Sequence, residues 1–318
     1  MTAPALHHVV CPGPAAAAPA ATPEAAGGHR MAYWQWGDSG HPHVLVCVHG
    51  LSRQGRDFDA LARALAPHMR VVCPDVVGRG CSDWLADSAG YQIPVYAADM
   101  LALLAQLHAQ APIASLDWVG TSMGGLIGMV VAGQPGLPLP APLRRLVLND
   151  VGPAVQWQAL QRIGTYLGKS GSFASLEAAA DAMWAVSTGF GPHTREQWLE
   201  LSRHMVRPAV PGQTGGELLL HYDPRIAEPF DALTEEAAAR GETALWQMYD
   251  QIRAETLLLR GAESDLLARE TAQCMTERGP RARLVELPGV GHAPTLVRED
   301  QIRIVQEFLL GADPAPRR

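Results

Sequence analysis

Six short runs of the chain, VLVCV (44–48), RVVCPD (70–75), LDWVG (116–120), RLVLND (145–150), TLLLRG (256–261) and RLVELPG (283–289), are almost unbroken in hydrophobicity. A strand with one wet face alternates apolar and polar residues, whereas a strand covered on both faces does not, and parallel strands flanked by helices are of the second kind. The segments between the runs carry a different period. FDALARALA (58–66), VYAADMLALLAQLHA (95–109), GGLIGMVVA (124–132), RETAQCMTER (269–278) and DQIRIVQEFLL (300–310) repeat their apolar residues at helical spacing. Strands and helices in alternation make βαβ units, so the fold is read as α/β, a doubly wound and mostly parallel sheet. MAYWQWG (31–37) adds an antiparallel strand at one edge.

Residues 152–246 interrupt this alternation. They hold helical pieces such as SLEAAADAMWAVS and TREQWLELSRHMV but no convincing buried strand, and they fall between RLVLND and TLLLRG. The region reads as an inserted helical cap on a core made of 30–151 and 247–312. It contains Trp157, Trp184, Trp198 and Trp246, with Tyr166 and Phe173. Most of these are expected to pack the cap's own core, and Trp157 and Trp184 are candidates to line an apolar pocket beneath it. Residues 1–29 are Ala/Pro-rich, have no basic start and no continuous apolar stretch, and read as a disordered tail rather than a signal peptide. The adjacent His7 and His8 are expected to be solvated there.

The chain's formal charge of −7 and its lack of a basic stripe argue against nucleic acid and anionic membranes as partners. No stretch approaches the roughly 18 consecutive apolar residues of a membrane span. Five scattered cysteines, Cys11, Cys47, Cys73, Cys81 and Cys274, are an odd set that points to the reducing cytoplasm.

One motif carries chemistry. In WVGTSMGGLIG (118–128), Gly120, Ser122 and Gly124 form G-x-S-x-G between a strand and a helix, the context in which a sharp turn lifts a serine hydroxyl clear of the sheet. A serine is a weak nucleophile without a base. His292, in PGVGHAPTL just after the last strand, is the one of twelve histidines in the right place. An acid should orient it. GAESD follows TLLLRG and offers Asp265; Glu263 in the same loop and Asp150 at the end of RLVLND compete, and Asp265 is preferred. The loop VCVHGLSRQ, shaped by His49 and Gly50, would aim the Leu51 N–H at the serine beside the N–H of Met123, forming an oxyanion hole. Arg53 and Gln54 are candidates to meet a substrate's polar end.

HGLSRQ, PDVVGRGCSD, GTSMGG, GAESD and GVGHAP, in this order, resemble the α/β-hydrolase superfamily, in its branch with a helical cap between strands six and seven. The resemblance covers all but the N-terminal tail and the last few residues. It implies a hydrolase without cofactor or metal, in which Ser122 attacks a carbonyl, His292 shuttles the proton and Asp265 orients the imidazole, in the family's chain order. It also implies a structural role for Asp75, Gly78, Gly80 and Ser82. Haloalkane dehalogenases and epoxide hydrolases share the architecture but carry aspartate at the elbow, which Ser122 argues against. The expected substrate is a small-molecule carboxylic ester of short to medium acyl length, with esters of hydroxy acids and short polyester oligomers suited to a capped apolar pocket. Carbon–carbon hydrolysis of ring-cleavage diketones is the next reading, although such relatives commonly differ at the position of Met123. Thioesterase, lactonase and a ligand receptor on the same fold complete the alternatives. Cap helices are also a frequent surface for homodimers.

Overall fold

The computed structural model describes residues 3–13, 28–169, 171–213 and 216–312. Its strands are β1 (Ala5–Cys11), β2 (His29–Trp36), β3 (His43–Val48), β4 (Arg70–Pro74), β5 (Ser115–Thr121), β6 (Leu143–Asn149), β7 (Ser172–Phe173), β8 (Val206–Pro208), β9 (Leu218–Leu220), β10 (Glu255–Gly261) and β11 (Arg283–Leu287). Eight of them form one sheet in the order β1-β2-β4-β3-β5-β6-β10-β11. β1, β2 and β4 pair antiparallel, and every pairing from β4 through β11 is parallel.

The unbroken hydrophobicity of the central runs has a direct cause. Val46, Leu116, Trp118, Leu146, Leu148 and Leu258 enter the apolar cluster on one face, while Leu45, Val119, Val147, Leu257 and Leu259 from the same strands enter the cluster on the other. Alternate residues point to opposite faces, and both faces are covered, so neither set can be polar. Cys47 and Cys73 are buried as small hydrophobes. β11, at the sheet's far edge, is only partly covered.

The N-terminus departs from expectation. Ala5–Cys11 is not part of a tail but is the edge strand, which leaves the MAYWQWG strand β2 one place inside the edge. Its pairing with the next strand runs along all seven residues, and at its end Val9 and Cys11 are buried while Val10 between them is exposed. His7 stacks on Tyr33 with centroids 5.3 Å apart. His29 Nε2 lies 2.9 Å from the buried Asp99 carboxylate, tying β2 to the helix Ile93–Gln110. Residues 14–27 of the expected tail lie outside the described residues.

The inserted region carries the helices Trp157–Gly164, Leu176–Val186, Arg195–Arg203 and Ala227–Asp231, and also a small antiparallel sheet ordered β7-β9-β8. Strands of two or three residues are too short to leave a periodic signal. The region's own core is Ala179, Ala180, Met183, Trp198, Leu201 and Met205, with Trp184 edge-on to Trp198 at 5.0 Å. The helix Glu235–Gln251 runs past the boundary expected at 246 and packs along the helix Met123–Gly133. Trp246 therefore belongs to the main core, edge-on to Tyr249 and covered by the Arg278 guanidinium 4.4 Å from its centroid. No helix among the described residues is long and apolar enough to cross a membrane.

Candidate active site

β5 ends at Thr121, and the helix Met123–Gly133 begins two residues later, so the chain reverses direction within Ser122 itself. Ser122 has φ 52°, ψ −117°, a conformation that L-residues avoid and that only a tightly determined setting maintains. The setting is backbone against backbone. A Cβ on Gly120 would lie 2.3 Å from the Gly124 carbonyl oxygen, and one on Gly124 would lie 2.0 Å from that of Val48. Gly124→Ala should therefore push the elbow away from β3, costing roughly 1–3 kcal/mol as overpacking does. A lowered Tm together with a larger fractional loss of turnover than of folded protein is the expected result.

Three side chains converge where the carboxyl ends of β5, β6 and β10 meet the loop after β11. Ser122 Oγ lies 3.0 Å from His292 Nε2, and His292 Nδ1 lies 2.7 Å from Asp150 Oδ2. A carboxylate only accepts, so Nδ1 carries the proton and Nε2 is free to accept from the serine hydroxyl. Such a chain lets the imidazole take the hydroxyl proton while the carboxylate steadies the cation that forms.

The acid beside His292 is thus Asp150, not Asp265, and the reason lies in the loop after β10. The Ser264 N–H donates to the Gly261 carbonyl, closing a tight turn that aims the Ser264 hydroxyl inward, 2.6 Å from Asp150 Oδ2. The next residue points the other way. Asp265 accepts both arms of Arg162 from the helix Trp157–Gly164, at 2.7 and 3.0 Å, in an exposed pair. Glu263 is also exposed. Asp150 is fully buried, has φ 54°, and takes a further hydrogen bond from the Gly261 N–H at 2.8 Å. Its neighbour Asn149 donates to Thr121 Oγ1 and to the Pro294 carbonyl, joining the elbow to the histidine loop.

The loop after β3 faces the same point. His49 Nδ1–H donates to the Gly50 carbonyl at 2.7 Å and Nε2 accepts from the Val76 N–H at 2.9 Å. Burial pushes its pKa down to about 3, so it is a neutral staple between two loops. A Cβ on Gly50 would stand 3.7 Å from that of Ser122. Leu51 lines the cavity with Ser122 and His292, and its N–H has no partner among the described residues. The Met123 N–H, first in its helix, lacks an intrahelical acceptor.

The loop PDVVGRGCSD supports this arrangement. Asp75 accepts from the N–H groups of Gly55 and Cys81, at 2.8 and 2.9 Å, and from Trp34 Nε1 at 3.2 Å. Ser82 bridges the Asp75 carbonyl and the Ala32 N–H. The loop also holds a residue that sequence reasoning missed. Arg79 is fully buried, donates to the carbonyls of Leu51 and Val77 at 2.8 and 2.7 Å and to Tyr96 Oη at 3.0 Å, and reaches Met123 Sδ at 3.8 Å. Among the described residues it pairs with no carboxylate, so it sets a positive charge behind the two free N–H groups. An arginine between two glycines in an apolar loop was the available signal.

A cavity of about 240 Å³ opens from Ser122 and His292 and is lined by residues of the inserted helical region. Tyr166, Phe173, Phe190, Tyr222, Ile163 and Met183 belong to its apolar wall. Trp157 and Trp184 do not line it, the latter being used in the cap core. Gln54 is buried and does not line it either. Arg53 does, but its guanidinium is held by Asp57 at 2.6 and 2.7 Å and by the Leu201 carbonyl at 3.2 Å.

Residues 45–305 match the model of the alpha/beta hydrolase family. The chain is 51% identical to a 3-hydroxybutyrate-oligomer hydrolase of Cupriavidus necator, over 90% of this chain and 95% of that one. It is 25% identical to a pimeloyl-[acyl-carrier protein] methyl ester esterase of Xanthomonas oryzae pv. oryzae, over 85% and 96% of the two chains. Among solved structures, an alpha/beta hydrolase from Novosphingobium aromaticivorans superposes with a TM-score of 0.78 at 33% identity, covering 98% of this chain and 99% of the other. With the elbow, the sheet order and these likenesses together, the chain belongs to the alpha/beta hydrolase family and is an ester hydrolase within it.

Proposed function

We propose that this enzyme cleaves the ester bonds of short hydroxy-acid oligomers through an acyl-enzyme on Ser122. The hydrogen-bonded series Ser122–His292–Asp150, opening into a capped and mostly apolar cavity, carries the reading. The 51% identity to a 3-hydroxybutyrate-oligomer hydrolase supports the substrate class. In the first half-reaction His292 Nε2 takes the Ser122 proton as Oγ bonds to the ester carbonyl carbon. The oxyanion that forms is received by the N–H groups of Leu51 and Met123, each such donor being worth roughly 3–4 kcal/mol. His292 then returns the proton to the departing alkoxide, and a water repeats the sequence on the acyl-enzyme. Asp150 keeps the imidazole in the required tautomer and steadies its charged form. The scattered cysteine set supports action in the reducing cytoplasm.

The test pairs 3-hydroxybutyrate dimer and trimer with a series of p-nitrophenyl esters and a ring-cleavage diketone. Release of monomer from both oligomers is expected. Across the p-nitrophenyl series kcat/KM should rise roughly three- to fourfold per methylene, since each buried CH₂ contributes about 0.8 kcal/mol, to an optimum near four to eight carbons. A steady rise out to palmitate would make the cap a lipase lid, and faster cleavage of the diketone would assign carbon–carbon chemistry instead.

A further inference from the structure

The chain contains 25 basic residues, and 24 of them are arginine; Lys169 is its one lysine. That lysine lines the cavity that opens from Ser122. The overall charge is −7, yet the charged side chains of the cavity wall are Arg53, Arg162 and Lys169, with no aspartate or glutamate among them. Two of the three cations are already engaged. Arg53 is held by both oxygens of Asp57, and Arg162 by both oxygens of Asp265. Among the described residues the Lys169 ammonium has no carboxylate partner.

The backbone that leads to it packs closely against its neighbours. Lys169 follows Gly168, whose φ of 73° suits glycine, and whose missing Cβ would stand 2.7 Å from Ala227 Cβ and 2.8 Å from the Pro224 carbonyl oxygen. The Gly168 N–H donates to Tyr222 Oη at 3.3 Å, and the Lys169 N–H to the Tyr166 carbonyl at 3.2 Å. Both tyrosines line the same cavity. An exposed lysine is therefore carried on a hydrogen-bonded turn at the cavity wall.

We propose that Lys169 binds the free carboxylate of the substrate. This rests on the ester-hydrolase reading above and specifies which esters it favours. In an oligomer of a hydroxy acid, the terminal carboxylate always lies on the alcohol side of any internal ester bond, and the free hydroxyl on the acyl side. Lys169 therefore marks the leaving-group side of the site. As the Ser122 acyl bond forms and the ester C–O bond breaks, His292 protonates the leaving alkoxide and the released hydroxy-acid anion stays paired with Lys169. A short oligomer brings one carboxylate per few ester bonds, whereas the interior of a long polymer brings none within reach. The wall thus selects short anionic chains over polymer and over neutral esters.

The experiment compares the 3-hydroxybutyrate dimer as its free acid with the methyl ester of the same dimer, in wild type, Lys169→Met and Lys169→Arg. Wild type is expected to favour the free acid, and Lys169→Met to lower kcat/KM for the acid by about 10- to 100-fold, the worth of a charge-assisted hydrogen bond, mainly through KM. The methyl ester should move less than about threefold, and Lys169→Arg should restore most of the preference. Added salt should erode the wild-type preference and leave Lys169→Met insensitive. Because the chain has one lysine, 3-hydroxybutyrate should also protect a single side chain from acetylation, read by peptide mass. Equal wild-type rates on acid and methyl ester, or a preference that survives Lys169→Met, would overturn the proposal. A wild-type enzyme that cleaves neither dimer would overturn the ester-hydrolase reading and this inference with it.

Discussion

Ser122→Ala is expected to abolish ester turnover, by roughly 10⁶-fold if the serine and histidine act as a unit. The side chain is small, partly exposed at the cavity floor, and its one side-chain hydrogen bond is to His292 Nε2. Removing the hydroxyl takes away the atom that would become covalently bonded and little of the packing, and alanine keeps the same Cβ at the elbow, so Tm should hold. A fluorophosphonate should label wild type and fail to label the variant. Turnover within tenfold of wild type in Ser122→Ala would rule out the acyl-enzyme.

Asp150→Asn should cost roughly 10⁴ in kcat, because an amide that donates to His292 Nδ1 favours the tautomer whose Nε2 cannot accept the serine proton. The asparagine keeps the volume and its Oδ1 still accepts from the Gly261 N–H, while the Ser264 hydroxyl loses its acceptor on Oδ2, so the fold should survive with a modest loss of Tm. Asp265→Asn is the matched control. Its pair with Arg162 is exposed on both sides, and surface pairs of this kind contribute about 0–1 kcal/mol, so the change in kcat should stay below about tenfold. Steady-state kinetics on p-nitrophenyl butyrate, with Tm beside it, separates the two carboxylates. A larger loss in Asp265→Asn would return the orienting role to that residue.

The contrast between these carboxylates shows how far local pattern reaches. VLVCV, RLVLND and TLLLRG announce themselves as strands because a run buried on both faces must be apolar at every position. GTSMG announces the elbow because strand, turn and helix are contiguous in the chain, and the glycines that permit the turn stand beside the serine it displays. HGL and GVGHAP are legible for the same reason: each loop directly follows its strand. The strand Ala5–Cys11 left no such mark: ALHHVVC pairs its apolar and polar residues instead of alternating them, and only Val9 and Cys11 are buried.

The sequence by itself therefore determined the parallel sheet, the serine elbow and the histidine loop, since each depends on neighbours within a few residues. Which acid meets His292 depends on through-space geometry. Asp150 and Asp265 both follow a buried strand, and β6 and β10 lie side by side, so their ends are equally near the site. Asp265 stands four residues past its strand, after a turn that spends Ser264 on the inward direction; Asp150 stands one residue past its own, already inside. The same holds for Arg79, Lys169 and the tryptophans. Their roles follow from which surfaces the cap and the sheet bring together across long stretches of chain, and only the packed tertiary structure decides that.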